Sequence, residues 1–290
     1  MDKARITALA TATVVASGVL WGFYWLPVRR LDALALPGAW GTLAIVATAA
    51  LVLSPVAWIR RREIAAASPL ALASIALGGA SFALYSTGFV YGRVAIIILL
   101  FFLTPVWSTL LAWALGAPVP GLRLVAIALG LAGLGLMLGA DGDLPLPRGT
   151  GEWLALVSGL LWAIATTAMS RRPAVRPEAA AFVFALGATL CTLALAPFLE
   201  PFPPVPGISA LVVAVPAGAL WWGAAMAGLM WATPRLEPAR TGILLMSEVL
   251  IGAVSGALLA GEHLGTYEIA GGALVLAAGI VEVWPVRKRD

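Results

Sequence analysis

Long apolar runs, separated by short polar breaks, constrain this chain more than any other feature. Most of them are close to the roughly 20 residues that cross a bilayer as an α-helix. Of the 290 residues, 61% are hydrophobic and 11% are charged, whereas a soluble domain has about 25% charged residues. The sequence therefore predicts an all-α membrane protein with ten transmembrane helices. We place them at about residues 6–28, 38–59, 68–91, 94–115, 122–140, 151–170, 178–199, 208–231, 241–260 and 267–285.

A nine-residue phrase occurs twice in the chain. SGVLWGFYW at 17–25 and SGLLWAIAT at 158–166 share the same spacing of serine, glycine and tryptophan, and an arginine pair follows each. Further on, the segment 98–118 aligns with 243–263. Because five helices cross an odd number of times, a second copy is inverted relative to the first. We therefore expect two inverted five-helix repeats, 1–145 and 146–290, with the two phrases facing each other at the interface where such transporters bind substrate.

Lysine and arginine are distributed unevenly between the two sets of loops. If the N-terminus is placed in the cytoplasm, 14 of the 18 Lys and Arg residues lie on that side and 4 on the other. The positive-inside rule therefore predicts that both termini are cytoplasmic. The pair at 29–30 is discordant, and we expect Asp32 beside it to offset part of its charge.

The inventory of reactive residues argues against an enzyme. His263 and Cys191 are the single histidine and the single cysteine of the sequence, which leaves no set of metal ligands. The nucleophile-elbow, zinc-protease and phosphate-loop motifs are absent. We therefore expect no catalytic residue, no metal and no cofactor. The net charge of +4 comes from helix ends, so it does not indicate a nucleic-acid partner.

Glu248 is the outlier within the apolar runs. It lies in the ninth span, eight residues beyond Arg240, which is about 12 Å deeper along a helix. An acid at that depth costs several kcal/mol unless it is protonated, paired or hydrated. Two interpretations follow: a site for a substrate ammonium or a proton, or a structural carboxyl bonded within a helix contact.

Several spans carry aromatic, hydroxyl or small residues on one helical face, at spacings of three, four, seven or eight residues. The alternatives to a binding role are a packed core and close helix packing through small residues. Pro105 is expected to kink the fourth span by freeing a backbone carbonyl. Trp221 and Trp222 are not expected both to point inward. The complete candidate substrate-binding set is Ser17, Trp21, Tyr24, Gly78, Ser81, Tyr85, Trp107, Trp162, Thr166, Trp221, Ser247 and Glu248.

The candidate lining is aromatic, lightly hydroxylated and contains one acid. It has no arginine in the middle of a span, whereas a phosphorylated substrate would need fixed cations. An amino acid fits better, because its ammonium could meet Glu248 or a ring face, and its carboxylate could meet hydroxyl or indole donors. An organic cation fits the same lining.

The chain resembles the drug/metabolite transporter superfamily with its EamA-type repeats. LTPVWSTLLAWALG at 103–116 and LLAGEHLGTYEIAGGALVLAAG at 258–279 are similar to the ends of its repeats, with Gly261–Glu262 in the Gly-Glu place. The chain departs from the pattern at Gly116–Ala117 and at Glu248–Val249–Leu250. The phrases at 17–25 and 247–252 are similar to the bacterial aromatic amino acid exporters of this superfamily. The resemblance implies an inner-membrane exporter of amino acids with broad specificity.

We therefore expect a secondary transporter that works by alternating access through a cavity between the repeats. The expected partners are small amino acid substrates and the lipid bilayer, with a monomer and an oligomer both open. One alternative is a proton-coupled exporter of organic cations or drugs. Another is a membrane receptor or scaffold that binds without transport.

Overall fold

The computed structural model describes residues 3–116, 121–139, 146–172, 175–236 and 238–283. Within these ranges the chain is almost entirely helical and contains no β-strand. By length and composition, eight helical segments could cross a membrane, and two shorter apolar helices, Ile243–Leu259 and Thr266–Val281, complete the set. The all-α membrane fold with ten spans is therefore confirmed.

The first five spans begin and end within a few residues of the predicted positions. Two of them, the first and the fourth, are each divided into two helices. A short helix, Arg61–Ala66, connects the second span to the third. In chain order the spans are Lys3–Gly22 with Trp25–Asp32, Ala39–Ile59, Pro69–Tyr91, Val94–Phe101 with Thr104–Ala114, and Gly121–Leu138.

The second five spans repeat this arrangement, but here the eighth span is the irregular one. Its middle part, Gly218–Ala225, is a π-helix between two α-helical parts, and a 3₁₀ turn at Thr233–Arg235 ends it. The spans are Thr150–Ser170, Pro177–Leu199, Ile208–Ala217 continued by Met226–Ala232, Pro238–Leu259 and Thr266–Val283.

Proline explains both divided spans. Pro105 has no N–H for the carbonyl of Phe101, which instead accepts a hydrogen bond from Thr104 Oγ1 at 2.7 Å. Where a kink was expected, the helix of the fourth span is interrupted, at residues 102–103. Pro27 likewise cannot bond the carbonyl of Phe23, which accepts from the N–H of Leu26 at 3.0 Å, and the first span breaks there.

The packing of the spans has the symmetry of an inverted repeat. The first span packs on the ninth, and the sixth packs on the fourth in the same way. The third packs on the sixth and seventh, and the eighth on the first and second. The second span packs on the seventh and the fifth on the tenth, and each of these pairs joins equivalent spans of the two repeats. Shifting every span by five thus reproduces these main helix contacts, as expected of two inverted copies.

Ten crossings put the loops on two faces. We call the face that holds Lys3 and the loop residues 60–68, 171–172, 175–176 and 233–236 the terminal face. The opposite face holds the loops at 33–38, 92–93, 146–149, 200–207 and 260–265.

Candidate functional site

Aromatic rings from six different spans meet at the centre of the molecule. The rings contact one another in edge-to-face, tilted or stacked pairs with centroids 4.6–6.4 Å apart, a range in which ring pairs attract each other. We call this group the aromatic cluster. Its members are Trp21, Tyr24, Phe82, Tyr85, Phe101, Trp162, Phe184, Trp221 and Trp222.

Phe82, on the third span, joins the two copies of the repeated phrase. Its ring centroid lies 5.0 Å from that of Trp21 and 4.9 Å from that of Trp162, and both contacts are edge-to-face. The tryptophans at equivalent positions of the two repeats therefore contact the same ring. The interface expected from the phrases exists, and a phenylalanine absent from the predicted set forms its centre.

Glu248 lies at the edge of the aromatic cluster. Its side chain is buried, with 5% of the residue exposed, and its Oε1 accepts a hydrogen bond of 2.8 Å from the hydroxyl of Tyr85. Tyr85 in turn stacks on Phe101 at 4.6 Å. This bond links the ninth span to the third and holds one carboxylate oxygen towards the rings. Tyr85 and Glu248 are thus brought together as two members of the predicted set.

A buried chain of polar groups fixes Tyr24 within the cluster. The indole N–H of Trp222 donates to the Tyr24 hydroxyl at 2.8 Å. The same hydroxyl shares a 3.0 Å hydrogen bond with Ser86, and Ser86 shares one of 2.7 Å with Thr42. Because a buried polar group is costly when unpaired, this chain holds the phenol in one orientation.

Other predicted hydroxyls bond to helix backbones instead of lining open space. Ser81 donates to the carbonyl of Ser158 at 2.8 Å, and Ser158 donates to that of Ser81 at 2.7 Å. Thr166 donates to the carbonyl of Trp162 at 2.8 Å, within its own helix. Ser247 does the same towards Leu244 at 2.8 Å. Their hydrogen-bonding capacity stabilises helices and helix contacts in this conformation.

The three remaining predicted positions differ in their surroundings. Ser17 is buried, with 4% exposed, on the helix that packs against the ninth span. Gly78 leaves room for the cluster, because a Cβ there would lie 3.1 Å from the Trp162 ring and 3.2 Å from the Phe184 ring. Trp107 is half-buried and lies outside the aromatic cluster.

Both neighbouring tryptophans of the eighth span reach the cluster, which corrects the expectation that only one would. Trp222 is fully buried, and Trp221 donates its indole N–H to the carbonyl of Leu20 at 2.7 Å. Both rings contact Tyr24, at 5.9 Å for Trp221 and 6.3 Å for Trp222. The cause is the π-helix at Gly218–Ala225, in which successive residues turn through a smaller angle than in an α-helix.

Hydrogen bonds and an ion pair join several spans on the opposite face. Arg29 donates to Glu262 Oε1 at 2.7 Å and to the carbonyls of Phe89 and Gly92 at 3.0 and 2.8 Å. Glu262 Oε1 also accepts the N–H of Val94 at 3.1 Å. The first, third and fourth spans and the turn after the ninth are thereby held together.

The partner of Arg29 is therefore Glu262, which the sequence analysis did not single out for this role. Asp32 instead accepts the N–H of Gly38 at 3.1 Å. Two further polar contacts lie on the same face: an ion pair of Arg93 with Glu268, and a hydrogen bond of 2.9 Å from the Tyr91 hydroxyl to Glu200. In the described part of the chain, no three His, Cys, Asp or Glu side chains are placed to hold a metal ion.

Ten helices in two inverted repeats, with buried polar and aromatic groups at their interface, form an architecture that many membrane transporters share. The model of the EamA-like transporter family matches residues 8–139 and 149–282, one match for each repeat. The chain belongs to the EamA-like transporter family. It is a multi-pass membrane protein of a family that transports small molecules and whose members are generally not enzymes.

Comparison of structures agrees with this fold. A solved crystal structure, described only as that of a protein, is similar with a TM-score of 0.62 and 16% sequence identity over 94% of this chain and 96% of the other. At this identity the likeness concerns the fold alone. No curated protein matches the sequence at a significant level.

Proposed function

We propose that this chain exports amino acids, aromatic and other apolar ones included, with broad specificity. The observation that carries the proposal is the Glu248 carboxylate, held by Tyr85 at 2.8 Å on the edge of the aromatic cluster. A substrate ammonium would pair with this carboxylate, and ring faces attract cations as well. An apolar or aromatic side chain would replace ring contacts within the cluster. Both features of the site thus suit the two ends of an amino acid.

The distribution of fixed charge supports a substrate without phosphate. No lysine or arginine occurs in the middle of a span. Phosphate recognition relies on arginine or lysine donors, which give strong, charge-assisted hydrogen bonds. Sugar phosphates and nucleotide sugars would therefore leave their charges uncompensated beside Glu248. A zwitterion or a monocation meets the single carboxylate without this cost.

Alternating access is the mechanism that we propose for this site. Trp21, Tyr24, Tyr85 and Trp222 are at most 1% exposed, so a substrate reaches them only when helices move apart. The two repeats, 1–145 and 146–290, would rock around the aromatic cluster. Opening of the cluster towards the opposite face would require the Arg29–Glu262 ion pair to break.

We also propose that the protein lies in the bacterial inner membrane with both termini in the cytoplasm. The support is the sequence count of Lys and Arg, 14 in the termini and loops assigned to the cytoplasm against 4 in the loops assigned to the other side. Reporter fusions at the C-terminus and in the loop at 200–207 test it. Cytoplasmic activity at the C-terminus and exported activity in the loop are expected, and the reverse pattern would refute the orientation.

Transport by the purified protein tests the function directly. Uptake of a panel of labelled amino acids into proteoliposomes is expected for the wild type and is expected to be lost in Glu248→Gln and Trp162→Ala. Glu178→Gln and Trp153→Ala are the matched controls, because both side chains are exposed, and uptake by these variants is expected to stay at the wild-type level. If no amino acid of any kind enters the liposomes, the proposal is wrong.

Export of organic cations is the second candidate, and the same carboxylate beside ring faces favours it. The same liposomes distinguish the two functions. Flux of cations that is coupled to protons, with no flux of amino acids, would favour the cation exporter. Binding of either substrate without flux would instead indicate a receptor or scaffold.

A further inference from the structure

The indole N–H of Trp21 is a buried donor without a partner among the described residues. Trp21 is 1% exposed. Its neighbours are satisfied: Trp221 donates to the carbonyl of Leu20 at 2.7 Å, Trp222 to the hydroxyl of Tyr24 at 2.8 Å, and Trp25 to Ser255 at 2.9 Å. Buried donors are almost always paired, so an unpaired one at the centre of a molecule requires a physical reason.

Trp21 lies inside the aromatic cluster. Its ring centroid is 4.8 Å from Tyr24, 5.0 Å from Phe82 and 5.9 Å from Trp222. A hydrogen-bond acceptor in this apolar surrounding would be strongly held, because no water competes for the donor. An acceptor supplied from outside the protein would satisfy this N–H.

Glu248 and Trp21 lie on two helices that are in direct contact. The helix of Trp21 contacts the ninth span at this level, since a Cβ on Gly22 would lie 3.0 Å from the Glu248 carbonyl and one on Gly18 3.4 Å from its N. Through Phe82, the Trp21 ring is separated by a single ring from Tyr85, which holds the carboxylate.

We propose that the indole N–H of Trp21 binds the carboxylate of the substrate, while Glu248 binds its ammonium. This inference rests on the proposed function and makes it narrower, because the site would then recognise the zwitterionic α-amino acid group itself. A bond between an N–H and a carboxylate is charge-assisted and stronger than one between neutral groups. A ligand that lacks the carboxylate leaves the donor unpaired, so the site discriminates against amines.

Trp107, whose indole N–H is also buried and unpaired among the described residues, does not share this position. It is half-buried on the fourth span and makes no part of the aromatic cluster. The proposal therefore concerns Trp21 alone.

The test compares phenylalanine with phenethylamine, which has the same ring and ammonium but no carboxylate. In proteoliposomes, Trp21→Phe is expected to raise the KM for phenylalanine roughly tenfold or more, as the loss of a hydrogen bond to a charged group predicts. The KM for phenethylamine is expected to stay unchanged. Trp222→Phe, which removes a paired indole, should affect both substrates alike, and the exposed Trp153→Phe neither.

A competition assay on the wild-type protein gives a second readout that needs no variant. Phenylalanine is expected to inhibit labelled uptake best, its amide less well and phenethylamine least. Equal inhibition by phenylalanine and phenethylamine would overturn the role of Trp21, as would an equal loss of both substrates in Trp21→Phe. These outcomes refute the role of Trp21 while amino acid transport by the wild type remains. If the wild type transports no amino acid at all, the proposed function itself is wrong.

Discussion

Two glycines on one helix test the packing of the fold with a matched pair of variants. Gly133 and Gly135 lie two residues apart on the fifth span. A Cβ on Gly133 would lie 2.6 Å from the carbonyl of Gly271 and 3.0 Å from the backbone N of Val275, whereas a Cβ on Gly135 meets nothing within 4 Å. The same methyl group therefore enters a closed helix contact at one position and open space at the other.

The magnitudes follow from these distances. Alanine gains about 0.8–1.0 kcal/mol over glycine in helix propensity at either position. At Gly133 the added methyl group meets the backbone of the tenth span, so the two helices must separate by roughly 1 Å to restore ordinary contacts of about 3.5–4.0 Å. Overpacking of this kind costs about 1–3 kcal/mol. Gly133→Ala should thus destabilise the protein by up to about 2 kcal/mol, and Gly135→Ala should stabilise it by about 1 kcal/mol.

Thermal unfolding of the purified variants in detergent measures the difference. With a shift of roughly 2–4 °C per kcal/mol, Gly133→Ala is expected to lower the Tm by several degrees and Gly135→Ala to raise it by a few. Gly271→Ala should behave like Gly133→Ala, because its Cβ would lie 2.5 Å from the carbonyl of Gly133. If both fifth-span variants shift the Tm in the same direction, the close contact of the fifth and tenth spans is wrong.

Two further predictions concern polar contacts. Tyr85→Phe removes the hydrogen-bond donor to Glu248 and is expected to lower uptake in proteoliposomes at least severalfold. Tyr267→Phe, at an exposed position, is the control and should leave uptake unchanged. Equal uptake by the two variants would contradict the role of this bond. Reversing either charge of the Arg29–Glu262 pair is expected to lower both Tm and uptake, and exchanging the two charges should restore part of each. The recovery is only partial because the exchange also removes the bonds of Arg29 to two backbone carbonyls. A double variant no better than the single ones would show that the pair is not coupled.

Much of the fold could be predicted because its signals are local. Apolar runs of the length of a bilayer define the spans, and Pro105 defines the break in the fourth. The repeated phrase also located the interface, since Trp21 and Trp162 contact the same ring. Each of these signals is contained in a single segment or in the comparison of two segments.

The parts of the site that the sequence did not predict depend on how each helix is oriented about its own axis relative to its neighbours. Phe184 lies in a span that is apolar over most of its length, so hydropathy does not distinguish its cluster-facing side. The π-helix that brings Trp222 into the cluster has no sequence signal that hydropathy can detect. Arg29 and Glu262 are 233 positions apart, so nothing local in the sequence pairs them. Phe82 could have been found, because it lies four residues after Gly78 on the same helical face.

The two repeats share the main packing contacts of their spans but differ in the residues at equivalent positions. In the alignment of 98–118 with 243–263, Glu248 corresponds to Leu103, at the break of the fourth span, and the ninth span continues unbroken through this position. A symmetric pair of acids would place two like charges at one buried interface, where each would disfavour the ionisation of the other. A single carboxylate is instead neutralised by one ammonium. If the proposed site is correct, divergence of the repeats at this position is what allows a molecule with one cationic group to be bound between two otherwise similar halves.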